Sequence, residues 1–421
     1  MVRFGTGALE ELGRAGSPRR LYGLPARRIV DVTVQYAPRP PGQGPTPAPT
    51  PDPIVGPPPP PRRTIWVADG GAHVVAGITI EANLALHPPV ILGEYMTPGD
   101  DAGHFNSPGG VAADAYGNLY VSDTGNHRVL VFGEDLSIVA TIGASGRPGT
   151  GNDQLSSPGR LATDDEGRLF IADTGNARVQ GFDITDPAAP RWVASYGTAG
   201  GPQGLRDPVG VGTDATFVYV ADGSGGRVQI YEKNDGDYWK TLDGRSAAGC
   251  GSTSPDDWWT VASDVAITQD GTINVALPRR MQVATCDAFT REPRDSLGSR
   301  GAPYVPAPGT YNAPAAAAEA ADGFVVIAEA EGHRVVGRNP DGSEAWTFGA
   351  PGVAGNDQEH LDGPSDVAFY GGQAVVADRG NGRLVFLDRL GRRTAGWGKG
   401  VLAAPAGDDH RWQHVPHTVV R

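Results

Sequence analysis

Phe105-Asn-Ser-Pro-Gly-Gly-Val-Ala-Ala-Asp-Ala-Tyr-Gly-Asn-Leu-Tyr-Val-Ser-Asp-Thr-Gly-Asn-His-Arg-Val-Leu-Val-Phe132 decides the fold. A Pro leads into a short apolar run that ends at Asp114. Ala-Tyr-Gly-Asn then makes a turn, and Leu119 to Ser122 reads as a buried strand. Thr-Gly-Asn makes a second turn into Arg128–Phe132. A further run, Ser137-Ile-Val-Ala-Thr-Ile-Gly143, stops at glycine. Short β-branched and aromatic runs between Gly and Asn turns are strands, so the unit is four antiparallel strands.

The unit recurs. Ile65-Trp-Val-Ala-Asp69, Leu119-Tyr-Val-Ser-Asp123, Leu169-Phe-Ile-Ala-Asp173, Val218-Tyr-Val-Ala-Asp222, Val325-Val-Ile-Ala-Glu329 and Ala374-Val-Val-Ala-Asp378 share one pattern, and Ile273-Asn-Val-Ala-Leu277 is a degenerate copy. Their ends are spaced by 54, 50, 49, 55, 52 and 49 residues. Four strands per period of about 50 residues, seven times over, predict an all-β chain forming a β-propeller of seven four-stranded blades, six being the alternative count. The 61 glycines and 37 prolines among 421 residues then punctuate turns instead of signalling disorder throughout, and they exclude a mostly helical protein.

Three segments follow. Residues 1–37 form a small head whose Arg28-Ile-Val-Asp-Val-Thr-Val-Gln-Tyr36 reads as a strand. Residues 38–61 hold 13 prolines and read as a semi-rigid polyproline spacer. The propeller occupies 62–421. Its first copy starts at Ile65 with no innermost strand before it, and His414-Val-Pro-His-Thr-Val-Val-Arg421 looks like an innermost strand without a successor. Pro416 lies 52 residues after Pro364, in register. The expectation is ring closure by pairing this C-terminal strand with the Ile65 strand, which removes exposed sheet edges.

The 105–132 stretch resembles the NHL repeat almost position for position. The resemblance extends over 64–421, weakly at 311 and in degenerate form near 259. It implies a propeller, often six-bladed. It also implies a choice of roles: protein-binding or RNA-binding scaffolds, extracellular sensors, and metal-dependent lyases such as the peptidylglycine amidating lyase. Fold alone does not select among them.

Charge narrows the choice. A net charge of −13 argues against nucleic acid as partner, because such binding neutralises phosphates with Lys and Arg. No apolar run is long enough to span a membrane, and the N-terminus lacks the apolar core of a recognisable signal peptide. Thr-Pro pairs at 45–53 are typical of secreted or surface stalks and suit O-glycans, so an extracellular or cell-surface setting is expected.

The candidate site residues divide by repetition. An acid and an Arg five residues later recur as Asp123/Arg128, Asp173/Arg178, Asp222/Arg227, Glu329/Arg334 and Asp378/Arg383. A single catalytic centre needs no copies, so these read as structural ion pairs across a hairpin. The degenerate blade has Leu277 and Gln282 there and holds both cysteines; Cys250 and Cys286 are a disulfide candidate, with separate thiols the alternative. His104, His360, His414 and His417 fall on the face of the blade links, where a ring of His and carboxylate suits a divalent metal. His127, His333 and Trp258 are candidate binding residues on the surface. No nucleophile elbow or phosphate loop is present, and no cofactor is expected beyond that metal. The reading that emerges is a surface-displayed propeller serving as a rigid protein-binding or assembly module, with self-assembly through residues 1–37. The alternative is a metal-dependent lyase or hydrolase.

Overall fold

The computed structural model describes residues 29–36, 63–80, 90–197, 201–243, 262, 264–267, 272–277, 282–287, 313–320, 323–341, 343–370 and 372–398. The first sheet contains β1 (Ile29–Tyr36), β2 (Arg63–Asp69), β3 (Val74–Ile80) and β4 (Val90–Leu92). The second has β5 (Gly110–Ala113), β6 (Leu119–Asp123), β7 (Arg128–Phe132) and β8 (Ile138–Gly143). The third has β9 (Pro158–Thr163), β10 (Arg168–Asp173), β11 (Arg178–Asp183) and β12 (Arg191–Tyr196), and the fourth β13 (Pro208–Thr213), β14 (Phe217–Asp222), β15 (Arg227–Glu232) and β16 (Tyr238–Leu242). The fifth shows three strands, β17 (Asp264–Ile267), β18 (Thr272–Leu277) and β19 (Gln282–Asp287). The sixth has β20 (Pro314–Glu319), β21 (Val325–Glu329), β22 (Arg334–Arg338) and β23 (Glu344–Phe348). The last has β24 (Pro364–Tyr370), β25 (Gln373–Asp378), β26 (Arg383–Leu387) and β27 (Arg393–Gly398). Among the described residues, six four-stranded blades and one three-stranded sheet thus form a β-propeller, every ladder antiparallel.

Burial follows strand position. Leu119, Tyr120, Val121 and Asp123 in β6 and every residue of β7 are buried, because neighbouring blades cover both faces of the middle strands. The outermost β8 is mostly half-exposed. The apolar seams join successive blades. Trp66, Ala68, Val75 and Leu92 of blade one pack with Val111, Leu119 and Val121 of blade two. Ile65, Val67 and Ile78 pack with Val375, Leu384 and Phe386 of blade seven, which closes the ring. Phe105, Leu155, Leu205 and Leu361 occupy equivalent positions at the ends of blade links, and each is at most 1% exposed. They plug the seams that the links cross.

The structure corrects two expectations. The edge of β2 expected for the C-terminal strand is taken by β1, which runs antiparallel to it from Asp31↔Ala68 to Tyr36↔Arg63. Residues 399–421 themselves lie outside the described residues. β1 carries a register shift between Ile29 and Asp31, as β13 does between Pro208 and Gly210 and β24 between Pro364 and Asp366. It also packs between β5 and β24, the innermost strands of its two neighbours. β1 is therefore the innermost strand of blade one, and the head is not a separate unit. The second correction follows from the first. Residues 38–61 do not join a head to a propeller; they lie between two adjacent strands of one sheet. The sequence reading missed this because β1 lacks the leading Pro. Its Asp31-Val32 nonetheless repeats Asp264-Val265 of β17 and Asp366-Val367 of β24.

Removing residues 1–37 leaves the β2 edge open and should produce aggregation or a large fall in Tm. Deleting residues 414–421 should lower Tm less. Thermal unfolding of the two truncations side by side checks the assignment of β1.

Candidate functional site

The links between blades and the hairpins joining second to third strands meet on one face, and a recurring clamp builds it. Asp123, Asp173, Asp222, Glu329 and Asp378 end their second strands and are 0% exposed. A buried carboxylate needs donors. Asp123 Oδ2 accepts from Arg128 Nε at 2.8 Å and Asn126 Nδ2 at 2.7 Å, while Oδ1 accepts the Asn106 N–H at 2.6 Å. Asp173 does the same with Arg178, Asn176 and the Ser156 N–H, and Asp378 with Arg383, Asn381 and the Asp362 N–H. Asp222 holds Arg227 at 2.9 Å and the N–H groups of Arg206 and Asp207. Glu329 holds Arg334 at 2.9 Å. Burial pushes the Asp123 and Asp378 carboxyls above the usual range, against the pull of these donors.

The arginines do more than bridge a hairpin. Arg128 donates to the carbonyls of Asp100, Asp101 and His104 in the preceding link. Arg178 reaches Thr150, Gly151 and Gln154, and Arg383 reaches Asn356, Asp357 and His360. The pairs at Asp123, Asp173, Asp222 and Asp378 therefore each tie a hairpin to the link that crosses it and to the residues just before the blade's first strand.

The histidines fall into two groups. His73, His127 and His333 sit in left-handed backbone (φ 60°, 57° and 51°) before the third strand, where Ala177, Gly226 and Gly382 stand in other blades. Their Nδ1 atoms accept the N–H of Ser107, Ser157 and Gly363 in the next blade at 3.0, 3.0 and 3.1 Å. His127 and His333, candidate binding residues by sequence, thus brace seams between blades. His104 is held by Asp101 on Nδ1 at 2.6 Å and by Glu94 on Nε2 at 2.8 Å. These bonds raise its pKa, with Asp101 the main cause, and the same contact lowers that of Asp101. His360 Nδ1 is held by Asp357 at 2.7 Å, which lowers the Asp357 carboxyl.

Of the four metal-candidate histidines, His104 and His360 are among the described residues. His104 and His360 each belong to a separate link with a carboxylate partner of its own, and among the described residues no group of three or more His, Cys, Asp or Glu could hold a metal ion. His414, His417, Trp258 and Cys250 lie outside the described residues. Cys286 lies in β19, its side chain likewise outside them.

One contact had no sequence signal as a pair. Arg160 of β9 points at Asp366 of β24, with Nη1 3.5 Å from Oδ2. Asp366 is 4% exposed. The innermost strands line the central channel, and β5 and β1 separate these two around the ring, so the pair spans the channel. Asp31, Gly110, Gly210, Asp264 and Ala316 occupy the equivalent register position, each opposite the residue before the second-strand acid or its counterpart.

The family profile of the NHL repeat matches residues 105–132 and 155–182. A probable peptidyl-alpha-hydroxyglycine alpha-amidating lyase of Caenorhabditis elegans, pgal-1, is 36% identical over 81 residues, covering 19% of this chain. That match spans 22% of the lyase, about a fifth of its length. Among solved structures, Saccharomyces cerevisiae Sqt1 superposes with a TM-score of 0.58 at 10% identity, covering 92% of each chain. Kuenenia stuttgartiensis hydrazine synthase gives 0.52 at 12% identity, covering 78% of this chain and 93% of that one. Staphylococcus aureus virginiamycin B lyase, in a catalytically inactive form with quinupristin, gives 0.51 at 13%, covering 69% and 84%.

Two measurements check this face. Arg383→Met strands the buried Asp378 and should cost about 3–5 kcal/mol in urea unfolding. For His104 the raised pKa means that the link is firmest below the ordinary imidazole value of about 6.5 and loosens as pH rises through the folded value. NMR titration should place His104 above that value, and Asp101→Asn should bring it down. The chain is a β-propeller carrying NHL repeats.

Proposed function

We propose that this propeller is a rigid protein-binding module of a secreted or surface-displayed protein, presenting its link face to a partner. The observation that supports this most directly is the clamp. It spends the recurring polar groups of the face on backbone bonds, so the links are held as a fixed frame. What the frame exposes differs from blade to blade: Glu94, Met96 and Asp100 in the first link, Arg147 and Asp153 in the second, and Val353, Asp357 and Glu359 in the link to the last blade. Rigid scaffolds bearing variable loops are the usual architecture of binding surfaces. Acids outnumber bases among these residues, so a basic partner surface suits them. Thr46 and Thr50 between prolines are the acceptors expected to carry O-glycans if the chain is exported.

The partial likeness to an amidating lyase supports a second reading, metal-dependent lyase chemistry at the same face. Elemental analysis of the purified protein, with an assay on a peptidyl-α-hydroxyglycine substrate, separates the two. The binding reading expects less than stoichiometric transition metal and no turnover. Turnover abolished by a chelator and by replacing His417 and His104 would install the lyase reading in its place.

A further inference from the structure

We infer that Met96 is the apolar anchor of the link face, and that it receives a partner-protein segment in which a Lys or Arg stands beside an apolar side chain. This deepens the reading of the link face as a protein-binding surface and rests on it. The anchor sits at the tip of the first link, between blades one and two.

Three links open on the same turn. The Thr97 N–H donates to Glu94 O at 3.1 Å, the Arg147 N–H to Ala144 O at 2.9 Å, and the Val353 N–H to Ala350 O at 3.0 Å. The third residue of each turn donates its own N–H to the hairpin of the same blade: Met96 to Ala72 O, Gly146 to Asn126 O and Gly352 to Gly332 O. That residue is left-handed in all three, with φ 60° at Met96, 67° at Gly146 and 73° at Gly352. Such a turn favours glycine at its third position, because a Cβ in left-handed backbone crowds the following carbonyl oxygen. Two of the links obey this preference. The first sets a methionine against it.

Packing does not explain the exception. Met96 is 45% exposed, and the seam between blades one and two closes on Leu92 and Phe105 without it. At the same place in the second link, a Cβ on Gly146 would meet no atom within 4 Å, so the position points off the molecule. Strain held at a residue that supports nothing in the fold marks a binding position. A methionine suits one, because its unbranched, polarisable thioether moulds to an apolar partner group. The surroundings set the rest of the partner's chemistry. Residues 93–104 carry Glu94, Asp100 and Asp101 and no Lys or Arg, and all three acids are exposed. Arg128 holds the Asp100 and Asp101 carbonyls at 2.7 and 2.8 Å, which fixes the backbone and leaves both carboxylates at the surface. The complementary arrangement is an apolar group on the thioether with a cation beside it among these acids.

The test selects random short peptides from a phage library on the immobilised full chain. Enriched peptides should combine Lys or Arg with an apolar residue. Their affinity should fall about tenfold or more on Met96→Gly, fall on Asp100→Lys, and change little on Met96→Leu. The Met96→Gly chain should keep the wild-type Tm or exceed it, since glycine is the residue the turn prefers. A lower Tm for Met96→Gly overturns the inference, because the side chain then supports the fold. Peptides weakened by Asp100→Lys but bound equally by Met96→Gly overturn the anchor and leave the link face standing as a binding surface. Enriched peptides without Lys or Arg overturn the partner chemistry. A selection that yields no peptide overturns the anchor and the binding reading together.

Discussion

A carboxylate with no exposed surface at the end of a second strand sets most of the remaining geometry of each blade. It must collect donors, and no single segment supplies them all. In blade two they come from the third strand (Arg128), from the hairpin (Asn126) and from the end of the preceding link (the Asn106 N–H). The Arg then uses its remaining N–H groups on the link carbonyls of Asp100, Asp101 and His104. Desolvation and donation oppose one another here, and the knot holds only with every member in place. That explains why the pair recurs with its five-residue spacing intact: the hairpin can neither lengthen nor shorten without unseating a buried charge.

Much of the fold was legible because a propeller writes its architecture locally. Each Gly-Asn turn and each small-residue-acid ending is a short-range signal, and the period between them counts the blades. The Asp–Arg hairpin pairs were legible for the same reason. Blade closure was not. The leading Pro that marks an innermost strand in other blades is absent from β1, whereas the C-terminal segment possesses it in register. Local signal therefore favoured the wrong strand. Asp31-Val32, shared with β17 and β24, was the weaker cue that the structure follows.

The site was less legible than the fold. Placing histidines in hairpins and links was sound as topology, but topology does not say which way an imidazole turns. His127 and His333 turn to the next blade because a left-handed residue directly before the third strand aims its side chain across the seam, where the N–H of Ser157 or Gly363 offers itself. His104 turns to Asp101 and Glu94, two acids of its own link. Among the described residues, no group of three or more His, Cys, Asp or Glu converges in a way that could hold a metal ion. Arg160 and Asp366 are the converse case, 206 positions apart in sequence yet in contact, because a closed ring returns the chain to where it began.

That contact bears on how the ring tolerates an unusual first blade. Around the channel, β9 and β24 are separated by β5 and β1, and β1 is tethered to its own sheet by 26 residues where blade two uses a turn closed by the Asp114–Asn118 bond. An ion pair from Arg160 to Asp366 spans this sector directly. With Asp366 buried, the pair is screened less by solvent than a surface bridge would be. The apolar seams through Ile65 and Trp66 hold β2 against both neighbours from the outside, and the ion pair links the innermost strands on either side of β1 from within. Closure therefore does not hang on β1 alone.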